Sequence, residues 1–433
     1  MTPLRIVQIN TVDVAGGAAK VARKLHEKFR ERGHSSTLVV GWKQSSDPDV
    51  VEIDNRDAGR GFRGRALRIL EARGRQYLDH PGSHRVPALV GGDWDVMHAH
   101  NLHGGYFDLA ALADLSRRAP LVLTMHDMWL VTGHCGYSCG CNRWQIGCGS
   151  CPDLTLYPAI PRDATMINLR RKAHLLGDLD LSVTSPARWA LDLAQRSYFR
   201  SMTTRHIPNP VDTRFFRPGD QSAARAALGL PGDRPIVLLP ARLAFDNEYK
   251  AAWMLEEAVK ALRDRNVLGV AFGAEDAEPH EGLRILAESF DEARIAEAYR
   301  AADVVVYPSR AETSPLAIVE ALATERPVVA TDVGGVSELL DDGRNGLVVK
   351  PGDATGFARA VRTLIDSSDL ARRLAQAGFA EVRERNDLDH VVDAWLAFYE
   401  ELRDDFGRPR ESGREPISDR GRDSSRSRPA TRA

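Results

Sequence analysis

Short runs that are apolar at nearly every position punctuate the chain, and between them apolar residues recur at helical spacing. Leu4 to Ile9, Asp95 to Asn101, Pro120 to Thr124 and Leu181 to Ser185 read as strands of the first half. Pro235 to Leu239, Val267 to Gly273, Val304 to Tyr307 and Val328 to Thr331 read as strands of the second. Such runs fit parallel strands buried on both faces. The first is followed by a helix with Val21, Leu25 and Phe29 on one face and Gly33 as its stop. Strand–helix alternation predicts an α/β chain with parallel sheets. It restarts after the Pro-rich stretch His206 to Asp212, so two domains are expected, residues 1–207 and 208–385. An amphipathic helix with Trp395 and Phe398 is expected over 386–402. The Arg-, Ser- and Asp-rich stretch 403–433 has almost no apolar residue and is expected to be disordered.

Composition narrows the function. With 433 residues, 43% of them apolar, the chain can build sizeable cores. A net charge of −2 argues against nucleic acid as a partner. No apolar run approaches the ~20 residues that span a bilayer. The N-terminus enters a strand without a leader-like segment, which predicts a cytoplasmic protein. All five cysteines fall between Cys135 and Cys151, unlike the scattered pairs of a secreted fold.

Two stretches carry phosphate-binding chemistry. Gly16 and Gly17 lie between the first strand and its helix, where a Gly-rich turn lets backbone N–H groups approach an anion. This turn lacks the GxGxxG spacing of dinucleotide-binding folds. The second stretch starts at Ser309. A strand ends at Tyr307, and a helix is predicted from Ser314-Pro315-Leu316, with Glu312 before it and Glu320 inside it. At 1.5 Å per helical residue the two Glu backbones are roughly 12 Å apart, about the reach from a hexose across a diphosphate to a ribose.

Three further features invite interpretation. Cys135, Cys141, Cys148 and Cys151 sit in a polar, Gly-rich loop (133–152), and four thiolates suit a closed structural zinc site. His98, His100 and His103 share strand and strand-end positions, but no carboxylate or Cys close in sequence completes a metal set. Residues 56–77 interleave arginines with Phe62, Ala66, Leu67, Leu70 and Tyr77. Such a helix can lie on anionic lipid or pack by its apolar stripe, and packing is the expectation taken here.

Residues 309–338, SRAETSPLAIVEALATERPVVATDVGGVSE, resemble the donor-site signature of retaining family 4 glycosyltransferases of the GT-B fold. Ser314-Pro315-Leu316 stands where that family usually has Phe-Gly-Leu. His126-Asp127-Met128-Trp129, the spaced cysteines and the upstream HAHNLHGGYFDL are similar to a branch active in exopolysaccharide and lipopolysaccharide assembly, including colanic-acid-type enzymes. The resemblance implies two Rossmann-like domains with parallel sheets facing across a cleft, and a last helix that crosses back to the first domain. It implies Gly16 and Gly17 against the donor diphosphate, Arg242 and Lys250 clamping that diphosphate, His126 and Glu312 on the sugar, and Glu320 on the ribose. Ala251 replaces the usual Gly after the Lys. No catalytic cofactor is implied. The expected reaction moves a sugar, with retention, from a nucleoside-diphosphate sugar to a glycan or polyprenyl-linked acceptor in cell-surface polysaccharide synthesis. Two rival readings are an epimerase of the same architecture and a non-catalytic scaffold.

Overall fold

The structure, a computed structural model, describes residues 2–240, 247, 249–273 and 282–407. The apolar runs of the first half form a parallel sheet. Its strands are β1 (Arg5–Val12), β2 (Ser35–Trp42), β3 (Val50–Glu52), β4 (Val96–Ala99), β5 (Leu121–Thr124), β6 (Leu181–Ser185) and β7 (Thr203–His206). Their order is β3-β2-β1-β4-β5-β6-β7. The short or alternating strands β2, β3 and β7 were not anticipated. β7 also takes His206 into the sheet, where the sequence suggested the start of a linker.

The second sheet comprises β8 (Ile236–Pro240), β9 (Leu268–Phe272), β10 (Leu283–Leu286), β11 (Val304–Tyr307), β12 (Val328–Thr331) and β13 (Leu347–Val349). It runs β10-β9-β8-β11-β12-β13, and all its pairings are parallel. Every residue of β9, β11 and β12 is buried, as strands covered by helices on both faces require. Strand order reverses between β1 and β4 in one sheet and between β8 and β11 in the other. Ligands of open α/β sheets bind at the strand C-terminal ends beside such switch points.

The helix Leu388–Asp405 is three residues longer than expected at its C-terminus. It buries Val391, Val392, Trp395, Leu396, Phe398 and Tyr399 against Leu4, Ile6, Val21, Leu25 and Phe29 of the first half. Each large apolar side chain so buried contributes about 1.5–3 kcal/mol. The last helix therefore completes the core beneath β1. Residues 408–433, expected to be disordered, lie outside the described residues.

The helix α2 (Gly61–Glu71) meets the packing expectation only in part. Leu67 and Leu70 are half-buried and Tyr77 packs against the main core of the first half, but Phe62 is 91% exposed and Ile69, outside the expected stripe, 56%. Gly64 is its only buried residue. The Gly59 backbone, close to where a Gly64 side chain would be, marks its contact with the protein.

Candidate active site

The C-terminal ends of the strands flanking both switch points converge on one cleft of about 1090 Å³. Gly16, Gly17, His126, Lys250, Glu312, Ser314, Pro315 and Leu316 all line it, although they come from four separate segments of the sequence. Arg242 lies outside the described residues. Glu320 sits behind the lining, 5% exposed.

The first-sheet wall is built from strand ends. Gly16 adopts φ 98°, a left-handed value that favours glycine, and passes the chain from β1 into α1 (Gly17–Glu31). His126 follows β5. Its Nε2 lies 2.9 Å from Nδ1 of His100, which is itself fully buried just after β4. Burial holds the His126 imidazole down to about 4, with His103 adding to the effect and Asp127 opposing it. His126 is thus neutral near pH 7. The neighbouring Asp127 accepts a 2.7 Å hydrogen bond from His103 Nε2 and a 2.8 Å bond from the Trp129 N–H. Sequence reasoning passed over Asp127, although it stands directly beside His126. It also missed the His103–Asp127 pair, because strand ends far apart in sequence bring the two together.

The opposite wall is an ionic cluster. Lys250 Nζ donates to Glu312 Oε1 at 2.6 Å and to the Tyr307 hydroxyl at 2.8 Å, and that hydroxyl donates to the same Glu312 oxygen at 2.9 Å. Burial opposes charge on Lys250, but Glu312 and Tyr307 outweigh it and raise the ammonium well above its ordinary range. Tyr307, the last residue of β11, was missed because it reads as part of an apolar strand. The helix begins at Leu316, with Pro315 as its N-cap rather than in its first turn. Its first residues, Leu316 and Ala317, line the cleft with Lys250, and the first N–H groups of a helix have no partner within it. Asn209, in the connection between the sheets, donates to the Ser314 carbonyl at 2.8 Å and so fixes the loop ahead of that helix.

The Gly pair after β12 supports this loop by close approach. A Cβ on Gly334, whose φ is +55°, would lie 1.7 Å from the Glu312 carbonyl oxygen. One on Gly335 would lie 2.2 Å from that of Thr313. Glu338 then reaches across the cleft. Its carboxylate accepts from the N–H groups of Arg188 at 2.8 Å and Trp189 at 2.7 Å, capping a helix of the first half.

The cysteine loop lies apart from the cleft. Cys135, Cys141, Cys148 and Cys151 line one space of about 20 Å³ together with His134. All are free thiols. The expected zinc site is not assembled: among the described residues no group of three or more His, Cys, Asp or Glu is placed to hold one ion. The loop is anchored on the main core of the first half. Trp144 is 7% exposed and belongs to the main cluster of the first half, with Cys148 packed against it. His134 bridges the carbonyls of Pro158 at 3.1 Å and Asp153 at 3.2 Å. Burial pushes the Cys135 thiol up to about 12.

A family model described as Glycosyltransferase Family 4 matches residues 15–215. One described as Glycosyl transferases group 1 matches residues 234–367. The D-inositol 3-phosphate glycosyltransferase 1 of Catenulispora acidiphila is 31% identical over 328 residues, covering 71% of this chain and 72% of that protein. The chain belongs to the family 4, group 1 glycosyltransferases. As a family 4 glycosyltransferase it is an enzyme that uses a nucleotide-sugar donor, which removes the scaffold reading. WcaC of Escherichia coli, named for colanic acid biosynthesis, is 26% identical over 431 residues, 92% of this chain and 100% of that one. Anabaena HepE, solved with UDP-glucose, superposes with a TM-score of 0.65 at 18% identity, covering 92% of this chain and 100% of that one. The paired parallel sheets of this glycosyltransferase are thus the GT-B fold.

Proposed function

We propose that this glycosyltransferase moves a sugar from a nucleoside-diphosphate sugar, with retention, onto a glycan or lipid-linked glycan of a cell-surface polysaccharide. The observation that carries the reading is the convergence of His126, Lys250, Glu312 and the helix start at Leu316 on one cleft between the two sheets. The leaving group is a diphosphate, so the chemistry to be supplied is stabilisation of developing negative charge. In this reading Lys250 and the backbone N–H groups of Ser314 and Leu316 supply it, and Arg242 joins them. Glu312 takes sugar hydroxyls, Glu320 the ribose, and Gly16 and Gly17 let the backbone close on the diphosphate. His126 faces the sugar. The full-length match to WcaC supports the polysaccharide pathway.

The exposed, Arg-rich α2 supports a lipid-linked acceptor met at an anionic membrane surface, because Phe62 and Ile69 are free to enter it. No described helix is long and apolar enough to cross a membrane.

The test is a panel of UDP-, GDP- and ADP-sugars incubated with purified protein, following release of free nucleoside diphosphate. Release from one donor, abolished by Glu312→Ala and weakened by Arg242→Ala, is expected. Turnover untouched by both substitutions would refute the assigned roles. Release of an altered, intact sugar-nucleotide would instead identify an epimerase.

A further inference from the structure

His126 stands at the inner end of a chain of side chains that runs to the far surface of the first sheet. His100 Nε2 lies 3.0 Å from Gln8 Oε1, on the central strand β1. Gln8 Nε2 lies 3.5 Å from Ser36 Oγ on β2, and that oxygen is 2.9 Å from His26 Nδ1 on α1. The chain of hydrogen bonds ends there, because His26 Nε2 has no hydrogen-bond partner among the described residues and Asp47 Oδ2 lies 3.6 Å from it. Gln8, Ser36, His26 and His100 are all at most 3% exposed. Water therefore cannot exchange roles within the chain, and each link needs one donor and one acceptor. The direction set at one link propagates to the next.

Gln8 sets it. Its amide nitrogen donates to the Ser36 oxygen, which leaves its carbonyl oxygen toward His100. His100 then donates from Nε2 and accepts at Nδ1 from His126 Nε2–H. Burial keeps His26, His100 and His126 all below the usual histidine range, so none carries a second proton near neutrality. His126 is left with a lone pair on Nδ1, which has no hydrogen-bond partner among the described residues.

We propose that Gln8 is a positioning residue for the transfer, fixing through His100 the tautomer in which His126 Nδ1 accepts a hydrogen bond from a hydroxyl of the donor sugar. The inference rests on the proposed contact between His126 and the sugar. It also specifies the donor class. A neutral hexose satisfies the lone pair with a hydroxyl, whereas a uronate carboxylate at that point sets lone pair against lone pair. Gln8 touches no substrate, and a sequence reading sees only a polar residue in an apolar strand.

The tautomer is read directly from long-range proton–nitrogen NMR of the full chain labelled with ¹⁵N-histidine, with no substrate present. His126 protonated on Nε2 in the parent protein, and mixed tautomers in Gln8→Met, are the expected result. His126 protonated on Nδ1 in the parent overturns the proposal. Ser36→Ala breaks the same chain one link further out and is expected to loosen the tautomer as well, which separates the effect from misfolding at Gln8. In turnover, Gln8→Met is expected to lower kcat/KM for the neutral donor about tenfold, the scale of one hydrogen bond, and to narrow the preference over its uronate counterpart. If the tautomer shifts as expected while turnover does not change, the relay exists but His126 does not meet the sugar, and the positioning role is overturned.

Discussion

Lys20 of α1 forms an ion pair with Glu320, a residue of the helix Leu316–Ala323 on the other side of the cleft. The Tyr299 hydroxyl donates to the second carboxylate oxygen at 2.9 Å. Burial works against the charge on Lys20, but Glu320 and Glu292 outweigh it and raise the ammonium above its ordinary value. Glu320 is the residue proposed to hold the donor ribose, so Lys20 competes with the donor for that carboxylate. Glu292, 3.7 Å from Lys20, is placed to receive the ammonium when it leaves. Lys20→Met is expected to tighten binding of the cognate nucleoside diphosphate about fivefold, the scale of a partly screened ion pair. Calorimetric titration of parent and variant decides this; weaker binding by the variant would show that Lys20 assists the nucleotide.

The Gly pair gives a sharper structural prediction. Gly334→Ala sets a Cβ 1.7 Å from the backbone oxygen of Glu312, in a left-handed conformation that alanine avoids. The loop bearing Glu312 and Thr313 has to move. A loss of about 2–4 kcal/mol in folding stability is expected, with donor turnover falling in parallel. Gly17→Ala is the comparison, since nothing lies within 4 Å of the added Cβ, and its unfolding midpoint is expected to stay at the parent value. Denaturant unfolding of the two variants side by side tests the contrast.

The buried histidines predict how stability varies with pH. Burial lowers the proton affinity of His98 and His100 well below the ordinary 6.5, and that of His126 to about 4. The unfolded chain therefore binds more protons than the folded one between about pH 4 and 6.5. Stability falls as pH drops through that window and is unaffected by these groups above it. Urea midpoints are expected to be lower at pH 5 than at pH 7, and His98→Gln should reduce the difference. Equal midpoints at the two pH values would contradict the burial argument.

The surface of α2 is testable with vesicles. Phe62 and Ile69 point away from the protein on a helix carrying Arg63, Arg65 and Arg68. Cosedimentation with vesicles rich in anionic lipid is expected at low salt, weakening as salt rises. Phe62→Ser combined with Ile69→Ser is expected to lower the partition coefficient more than tenfold, given about 1.5–3 kcal/mol for each large apolar side chain transferred. Equal sedimentation of parent and double variant would remove this surface from the proposal.

Much of the fold was legible because fully buried parallel strands announce themselves as unbroken apolar runs. Val304 to Tyr307 and Val328 to Thr331 were placed almost to the residue for that reason. β2, β3 and β7 were not, because edge and near-edge strands carry polar residues such as Ser35, Thr203 and Arg205. The cleft residues that lie beside recognisable motifs were found, while those defined by contacts between distant segments were not. Lys20 follows the first Gly pair closely, yet nothing local says that it reaches Glu320. Tyr299, Tyr307 and Gln8 gain their roles only from side chains brought near by the topology. The anchoring of the cysteine loop was hidden in the same way, since Trp144 looks like a loop residue until the first core closes over it.

The last helix places a time constraint on the whole molecule. Leu4, Ile6, Val21 and Phe29 are buried by Trp395, Phe398 and Tyr399, and Tyr399 also holds His98 at 2.6 Å. While the chain emerges from the ribosome, the first half waits with an oily seam uncovered through the synthesis of the second. The His98 ring lies 3.9 Å from that of His100, the partner of His126, so Tyr399 braces the wall of the cleft from behind. Until the last helix docks, the apolar face of β1 and α1 has no cover. A chain cut short before residue 395 exposes that seam to chaperones and proteases rather than acting as a half-enzyme.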